Sequence, residues 1–187
     1  MHQDCDYDRI AVEELPQARR IAAWMSDRHP VEQIIDVECG PGIYVDEMRA
    51  FGLDAIGIDN DERLPQKPWF SRVDVGAHFD GLFYYRRVAL SLEVGEHIPE
   101  EAAFNYVQFL TGVGAHTIYF SAARPGQGGE GHVNLQPKAY WLRLFCARLY
   151  YLDPEATDEW LRYLRSGPHM GWLADPQLGN GMVLRRA

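Results

Sequence analysis

Cysteine is scarce in this chain. Only Cys5, Cys39 and Cys146 occur among its 187 residues. They are widely spaced and form no CxxC pair, which excludes a disulfide framework as the basis of the fold. This usage predicts a protein of a reducing, cytoplasmic compartment.

Long hydrophobic runs are also missing. No segment approaches 18 uninterrupted apolar residues, the length that a membrane-spanning helix needs. The first ten residues, MHQDCDYDRI, are acidic and lack both the basic and the apolar regions of a signal peptide. We therefore expect a soluble protein with no membrane partner.

Positive charge is the third shortage. The chain has 18 Lys and Arg against 27 Asp and Glu, a net charge of −9. Nucleic acids bind clustered cations, so this balance predicts no nucleic-acid partner. The chain is 47% hydrophobic, including 12% aromatic residues, which is enough for a sizeable core. Its length predicts a single domain over residues 1–187.

Short apolar runs alternate with helical patterns along the chain. This alternation predicts one α/β domain with helices on both faces of a mostly parallel sheet. Pro16 lies inside the first helical pattern and predicts that this helix begins or breaks there. Pro99 is expected at the first position of the third helix. Strands are predicted over 31–37, 55–58, 72–75, 88–92, 117–120, 149–152 and 181–185, and helices over 10–28, 41–51, 99–110, 137–145 and 153–165.

A glycine turn follows the first strand, where residues 36–42 read Asp-Val-Glu-Cys-Gly-Pro-Gly. The free N–H groups of the helix that begins there bind carboxylates, phosphates and ribose oxygens. Gly40 and Gly42 would let a ligand approach the backbone. Asp59, at the end of the next strand, could accept hydrogen bonds from both hydroxyls of a ribose. Asp74 could accept a hydrogen bond from the amino group of adenine. These residues predict a nucleotide-like cofactor.

At these positions the chain resembles the class I S-adenosylmethionine-dependent methyltransferases, whose first motif is roughly (D/E)-x-G-x-G-x-G. The resemblance continues through 57–59 and 72–74. Residues 90–99, Leu-Ser-Leu-Glu-Val-Gly-Glu-His-Ile-Pro, look like the fourth-strand motif of ubiquinone-type and small-molecule methyltransferases. Residues 125–134, ahead of Tyr140-Trp141, look like an uncharacterised and often phage-associated small subgroup. The similarity extends from about residue 31 to the C-terminus.

The resemblance implies a Rossmann-like, seven-stranded, mostly parallel sheet over residues 31–187, with a helical cap over residues 1–30. It implies S-adenosylmethionine as cofactor and methyl transfer as activity. The short chain and its charge favour a small-molecule acceptor, with the protein acting as a monomer or a small homo-oligomer.

The resemblance also implies the residues of the cofactor site. Asp36 would orient the glycine turn and reach the amino group of the cofactor. Leu92 and Glu93 would line the pocket near the transferred methyl group. The full set of implied cofactor contacts is Asp36, Glu38, Cys39, Gly40, Pro41, Gly42, Asp59, Asn60, Asp74, Val75, Leu92 and Glu93.

The chain departs from the family at Glu38, where the first glycine of the motif usually stands. Three alternatives follow: the side chain points away from the cofactor, it contacts the cofactor's ammonium group, or it weakens binding. A non-catalytic S-adenosylmethionine-binding module or an inactive homologue is therefore an alternative function. An NAD-dependent oxidoreductase is a lesser alternative, because residues 38–43 lack its GxGxxG spacing.

His132 and His97 are the catalytic candidates, and Gln127, His132 and Asn134 are the substrate-binding candidates. The plainer alternatives are a local hydrogen-bonding role for His97 and a solvated loop for Gln127 and Asn134. The acidic and histidine residues at 93, 96 and 97 could suggest a metal site, but we expect no metal, because such sites present three or four ligands with supporting spacing. The glycine-rich loop 126–131 is interpreted as a lid or substrate loop rather than a phosphate cradle. The aromatic residues of the helix that starts at 137 are expected in the core: Tyr140, Trp141 and Phe145.

Overall fold

A computed structural model describes residues 7–64, 66–76, 87–167, 173–174 and 179–187, without the side chains of 8–11. Its strands form one seven-stranded sheet of order β3-β2-β1-β4-β5-β7-β6. Neighbouring strands from β3 to β5 are parallel, whereas β7 is antiparallel to both β5 and β6. The strands are β1 (Gln33–Val37), β2 (Asp54–Asp59), β3 (Phe70–Arg72), β4 (Arg87–Ser91), β5 (Ala115–Phe120), β6 (Tyr150–Leu152) and β7 (Met182–Arg186). The predicted Rossmann-like fold is confirmed.

Helices cover both faces of the sheet, and successive side chains of the interior strand β1 point to opposite faces. Ile34 packs with α1, α2 and α5, whereas Ile35 packs with α3 and α4. Burial on both faces explains why β1 reads as a continuous apolar run rather than an alternating one. The helices are α1 (Tyr7–Arg28), α2 (Ile43–Ala50), α3 (Ala103–Gly112), α4 (Lys138–Cys146) and α5 (Pro154–Arg165).

Pro16 neither starts nor breaks the first helix, so that prediction is wrong. α1 begins at Tyr7 and contains Pro16 in its interior. Val12, whose carbonyl loses its helical N–H partner, is 75% exposed, so water reaches this turn. Ile21 and Met25 are fully buried further along the helix. Each such burial stabilises by roughly 1.5–3 kcal/mol, which together outweighs the cost of about 3 kcal/mol for an interior proline.

Two further boundaries differ from the predictions. β3 ends at Arg72, so Asp74 lies beyond the strand rather than within it. Among the described strands β3 pairs with β2 alone, and an edge strand of three residues leaves little hydrophobic pattern. Pro99 precedes a 3₁₀ turn, Glu100–Ala102, and α3 begins only at Ala103.

The aromatic residues of α4 pack in the core, as predicted. Trp141 and Phe145 are buried, and both rings contact Phe120 of β5 at centroid distances of 5.3 and 5.1 Å. Tyr140 packs against the same cluster from a half-buried position. Asp153 caps α5 by accepting a hydrogen bond from the N–H of Ala156 at 2.9 Å. None of the described helices combines the length and apolar character needed to cross a lipid bilayer.

Candidate functional site

A cavity of about 340 Å³ opens at the carboxyl ends of the parallel strands. Sites in open α/β sheets form at this edge, where adjacent connections diverge. The cavity adjoins a second one of about 720 Å³, and Glu38 and His97 line both. The residues lining the first cavity include Tyr7, Glu14, Asp36, Glu38, Cys39, Gly40, Pro41, Tyr44, Asp59, Leu92, Glu93, Glu96, His97, Gln127, Gly128, Gly129 and His132.

The two glycines of the turn after β1 have different surroundings. Gly40 has φ +52°, and a Cβ added there would lie 3.9 Å from its nearest neighbour, Cε1 of Tyr7. This open space agrees with the predicted approach of a ligand. Gly42 has φ +79°, but its Cβ would lie only 2.0 Å from Cη2 of Trp69. Gly42 is not among the residues that line either cavity, and packing against Trp69 is by itself a sufficient reason for glycine there, so its contact with a ligand stays a prediction.

Asp59 ties the glycine turn to the end of β2. Its Oδ2 accepts the N–H of Gly40 at 2.8 Å, and its Oδ1 accepts the N–H of Asp61 at 2.8 Å. The side chain is buried yet lines the first cavity. Because a carboxylate has about four lone-pair positions, both oxygens can accept further hydrogen bonds from a ligand.

A buried carboxyl group lies at the base of the cavity. Oδ2 of Asp36 is buried without a hydrogen-bond partner among the described residues. Burial, and then the charge of Asp59, raise the pKa of Asp36 well above its ordinary value. Glu14 of α1 also lines the cavity, and burial raises its pKa as well. Both carboxyl groups therefore line the same cavity as the glycine turn.

Glu38 adopts a conformation that its residue type disfavours. Its φ is +59°, in the left-handed region where glycine is the usual residue. Its Oε1 atom is buried without a partner among the described residues, and burial raises the pKa of the side chain to about 8. Since Glu38 lines both cavities, the structure favours contact with a ligand over the alternative of a side chain that points away.

The residues predicted to hold an adenosine group line the second cavity. Asn60, Asp74 and Val75 line it together. Val75 is buried, and Oδ1 of Asp74 accepts the N–H of Gly76 at 2.9 Å. The structure therefore brings the three residues onto one wall, next to Glu38.

The segment after β4 supplies the opposite wall of the first cavity. Leu92 and Glu93 line it, as predicted. The backbone N–H of Glu93 donates to Oγ of Ser121 at 2.9 Å, and its carboxylate accepts from Nδ2 of Asn180 at 3.3 Å. Glu93 also has a left-handed backbone, with φ +54°.

A cluster of three ligand-type side chains stands at the same wall. One donor atom each of Glu96, His97 and His132 lies within 4.8 Å of the others. Oε1 of Glu96 is 3.8 Å from Nε2 of His132, and the two imidazole centroids are 5.0 Å apart. Glu96 is fully buried, and burial followed by the charge of Glu93 raises its pKa to about 8. Among the described residues this is the one group of three that could hold a metal ion.

The glycine-rich loop places His132 over Glu96. The N–H groups of Val133 and Asn134 both donate to the carbonyl of Glu96 at 2.9 Å. Gln127 lines the cavity, and its Oε1 accepts the N–H of Arg124 at 2.6 Å. Asn134 is buried outside the cavity lining, where its Oδ1 accepts a hydrogen bond from Nε2 of Gln136 at 3.0 Å. Asn134 is therefore not among the residues that line the first cavity, and its contact with a substrate stays a prediction.

The cavity is strongly acidic. Six carboxyl residues line it, and no lysine or arginine occurs among its described lining residues. A site of this kind favours ligands that carry positive charge. The six are Glu14, Asp36, Glu38, Asp59, Glu93 and Glu96.

Sequence reasoning did not identify the contribution of α1 to the site. Tyr7 and Glu14 lie seven residues apart, which places them on one face of a helix. The hydroxyl of Tyr7 donates to Oδ2 of Asp61 at 2.6 Å, which holds the start of α1 over the glycine turn. The i, i+7 spacing was the available signal, but only the packing of α1 shows which way this face points.

Comparisons with known proteins agree with this architecture. No protein-family model matches the chain. The ubiquinone biosynthesis O-methyltransferase of Hahella chejuensis is 23% identical over 166 residues, covering 80% of this chain but only 63% of that protein. The chain thus spans less than two thirds of the length of this curated relative.

Solved structures of methyltransferases share the fold. Magnesium protoporphyrin IX methyltransferase from Synechocystis PCC 6803, solved with bound SAH, gives a TM-score of 0.65 at 13% identity, covering 98% of this chain and 89% of its own. A SAM-bound amino pentose methyltransferase from Micromonospora echinaspora gives 0.63 at 11% identity, covering 91% and 90%. The resemblance seen in the motifs is therefore confirmed: this chain has the fold of the class I S-adenosylmethionine-dependent methyltransferases.

Proposed function

We propose that this chain is an S-adenosylmethionine-dependent methyltransferase that acts on a small-molecule acceptor. The observation that carries the proposal is the acidic cavity at the strand ends, bordered by the glycine turn and by Asp59. The proteins named in the comparisons support it, since their names refer to ubiquinone biosynthesis, a porphyrin and an amino pentose.

The charge of the cavity fits this cofactor. S-adenosylmethionine carries a positive sulfonium and a positive ammonium group, and a bound cation would favour ionisation of the lining carboxyl groups whose pKa burial has raised. NAD carries a negative pyrophosphate, which a helix start and lining cations normally hold. The lining of this cavity offers a glutamate, Glu38, in the turn and no described cation. Its electrostatics therefore favour methyl transfer over the oxidoreductase alternative.

The two cavities divide the proposed contacts between them. Asp36 and Glu38 would accept the ammonium group, with Cys39, Gly40 and Pro41 forming the wall beside it. Asp59 would accept the ribose hydroxyls. Asn60, Asp74 and Val75 would hold the adenine. When bound, the cofactor supplies an electrophilic methyl group on a positively charged sulfur.

The protein's own contribution is mainly positional. Alignment of two reactants can supply roughly 7–11 kcal/mol of a barrier. Leu92 and Glu93 would shape the space around the methyl group. His132 and His97, at the same wall, would orient the acceptor, and Gln127 would contact it from the loop. We also propose that the chain works as one domain, with α1 as its cap, in the reducing cytoplasm.

Binding measurements test the cofactor. Calorimetry and thermal shift with S-adenosylmethionine, its demethylated product and NAD should show binding of the two sulfur compounds and none of NAD. Stabilisation by NAD alone would contradict the proposal. Transfer of a labelled methyl group to a panel of hydroxyl, amine and carbon acceptors then tests activity. Tight cofactor binding without any labelled product would favour the non-catalytic module instead.

A further inference from the structure

We propose that Glu96, His97 and His132 form a binding site for a divalent transition-metal ion at the wall of the cofactor cavity. This goes beyond the proposed methyl transfer, which needs no metal, and differs from the expectation from sequence. The role suggested for the ion rests on the proposed function, whereas its binding does not.

The positions of the donor atoms are the first observation. The three residues each offer one donor atom, and these atoms lie within 4.8 Å of one another. An ion with ligand bonds of about 2.1 Å holds adjacent ligand atoms roughly 3.0–3.4 Å apart. Oε1 of Glu96 and Nε2 of His132 are already 3.8 Å apart. Small rotations about the side-chain torsions therefore close the cluster around an ion.

The unmet bonding capacity of Glu96 is the second observation. Its side chain is fully buried, and neither carboxylate oxygen makes a hydrogen bond of ordinary geometry among the described residues, although the backbone N–H groups of Glu96 and Ala123 and the carboxyl group of Glu93 interact with it. Burying a polar group without a partner is costly, and native proteins seldom leave one so. The neighbouring carboxyl group of Glu93 adds negative charge to the same place. A divalent cation would bind the Glu96 carboxylate oxygens and would also balance the negative charge of Glu96 and Glu93.

The imidazole of His97 is oriented as a ligand. Its Nδ1 lies 3.1 Å from the carbonyl oxygen of Gly131, so Nδ1 is the donor of this bond. The lone pair is then on Nε2. Metal-binding histidines usually donate their second ring N–H to a carbonyl or carboxylate in this way, which fixes the tautomer and the ring orientation.

The glycine-rich loop is shaped around the two imidazoles. A Cβ at Gly129 would lie 2.1 Å from Cε1 of His132, and a Cβ at Gly131 would lie 3.2 Å from Nδ1 of His97. The same loop is bonded to the carbonyl of Glu96 through the N–H groups of residues 133 and 134. Glycine at position 129 therefore leaves room for the His132 ring, which lies beside Glu96.

The donor set determines which ions fit. Two imidazoles and one carboxylate suit Zn²⁺, Co²⁺ and Mn²⁺ better than Mg²⁺, which prefers oxygen ligands and retained water. Three protein ligands leave a position open for an exchangeable group.

An ion at this place would select a hydroxyl acceptor. A bound cation lowers the pKa of a hydroxyl group that coordinates it. In the transfer, the acceptor's O–H bond breaks and its proton leaves to water, and a C–O bond forms to the methyl carbon. The C–S bond of the sulfonium donor breaks, and its electron pair stays on sulfur. No oxidant or reductant is consumed.

The test is metal binding by the full chain, independent of activity. Co²⁺ titration followed by visible absorption, and calorimetry with Zn²⁺, Mn²⁺ and Mg²⁺, should give one site with Mg²⁺ the weakest. Glu96→Gln and His132→Gln should each weaken Co²⁺ binding at least tenfold. His116→Gln, at the amino-terminal end of β5, is the matched control and should bind as the wild type.

The outcomes are distinguishable. The site is supported if Co²⁺ binding is weakened in Glu96→Gln and His132→Gln but is unchanged in the His116→Gln control. Circular dichroism must show that all three variants are folded. If Glu96→Gln does not fold, His132→Gln and His97→Asn decide. Absence of a cobalt spectrum in the wild type, or equal affinity in all variants, would overturn the site. Calorimetry with S-adenosylmethionine in metal-free buffer tests the proposed function separately.

Discussion

A side chain at Gly42 and the indole of Trp69 cannot occupy the same space. The Cβ of an alanine at position 42 would lie 2.0 Å from Cη2 of Trp69 and within 3.0 Å of two further ring atoms. Trp69 also donates through Nε1 to Oδ1 of Asp46 at 3.1 Å, so the ring cannot move without breaking a bond to α2. Trp69 therefore packs against the glycine turn and leaves no room for a side chain at position 42.

Gly42→Ala should therefore destabilise the protein more than its backbone conformation alone requires. The left-handed φ of +79° costs about 1–2 kcal/mol, and the collision adds roughly 1–3 kcal/mol. Gly52→Ala is the matched control, because its φ is +83° and its added Cβ meets nothing within 4 Å. Urea unfolding measures the free energy of unfolding of both variants. Equal losses in the two variants would mean that Trp69 adapts freely.

Glu38→Gly should stabilise the protein. Removing the left-handed strain at φ +59° gains about 1–2 kcal/mol, from which the greater freedom of glycine in the unfolded chain subtracts about 0.4–1 kcal/mol. Removing a buried carboxyl group without a partner adds to the gain. We expect Tm to rise by about 2–4 °C. Leu149→Gly, at φ +62° and 61% exposed, relieves strain alone and should give a smaller rise. A fall in Tm for Glu38→Gly would contradict this account.

The stability of the ligand-free protein should depend on Glu38 between about pH 5 and pH 8. Its pKa rises from 4.5 to about 8 on folding, mainly through burial. The folded state therefore keeps a proton that the unfolded state has released, and stability falls as pH rises through this window, by up to about 1.4 kcal/mol per pH unit. Glu38→Gln should remove this part of the slope.

Exposed Glu101 provides the control for that titration. Glu101→Gln should leave the difference in Tm between pH 5.5 and pH 8 unchanged. An unaltered slope in Glu38→Gln would show that Glu38 ionises normally in the folded protein.

Asp59→Ala should weaken S-adenosylmethionine binding at least several-fold. A hydrogen bond to a charged group contributes roughly 1.5–3 kcal/mol, and the variant also loses the bond that holds the N–H of Gly40. Asp54→Ala, at the other end of β2 and exposed, is the matched control. Calorimetry should show wild-type affinity for the control. Unchanged affinity for Asp59→Ala would remove Asp59 from the cofactor site.

Gly129→Ala should weaken Co²⁺ binding without removing a ligand. Its Cβ would occupy the space of the His132 ring, at 2.1 Å, and would displace the imidazole from Glu96. Gly128→Ala, one residue earlier, meets nothing within 4 Å and should bind as the wild type. The cobalt absorption titration compares the two. Equal binding would show that His132 does not depend on this loop geometry.

Much of the fold could be predicted from the sequence, because its signals are local. β1, β2, β4 and β5 are buried runs, and all four contain β-branched residues, so their predicted and observed limits agree within about two residues. The edge strand β3 lacks such a pattern and was misplaced. The prediction that the first helix begins or breaks at Pro16 fails for a related reason. The burial of later residues of the helix is a property of the tertiary packing, and it outweighs the unfavourable local effect of proline.

The site was predictable where it follows the strands and unpredictable where it depends on loops. Asp36, Asp59 and Glu93 end or follow parallel strands, so topology alone brings them to one edge. The meeting of Glu96 with His132 depends on a loop that starts more than 20 residues after Glu96, and nothing in the spacing fixes its path. The position of Glu14 depends likewise on how α1 packs over the sheet.

The acidic lining of the cavity has a consequence for turnover. In the proposed reaction the sulfonium of the donor becomes a neutral thioether, so the product has one positive charge fewer than the donor. Carboxylates around the cavity therefore attract the donor more strongly than the spent product. We expect an affinity ratio between donor and product that shrinks as salt rises and screens the field.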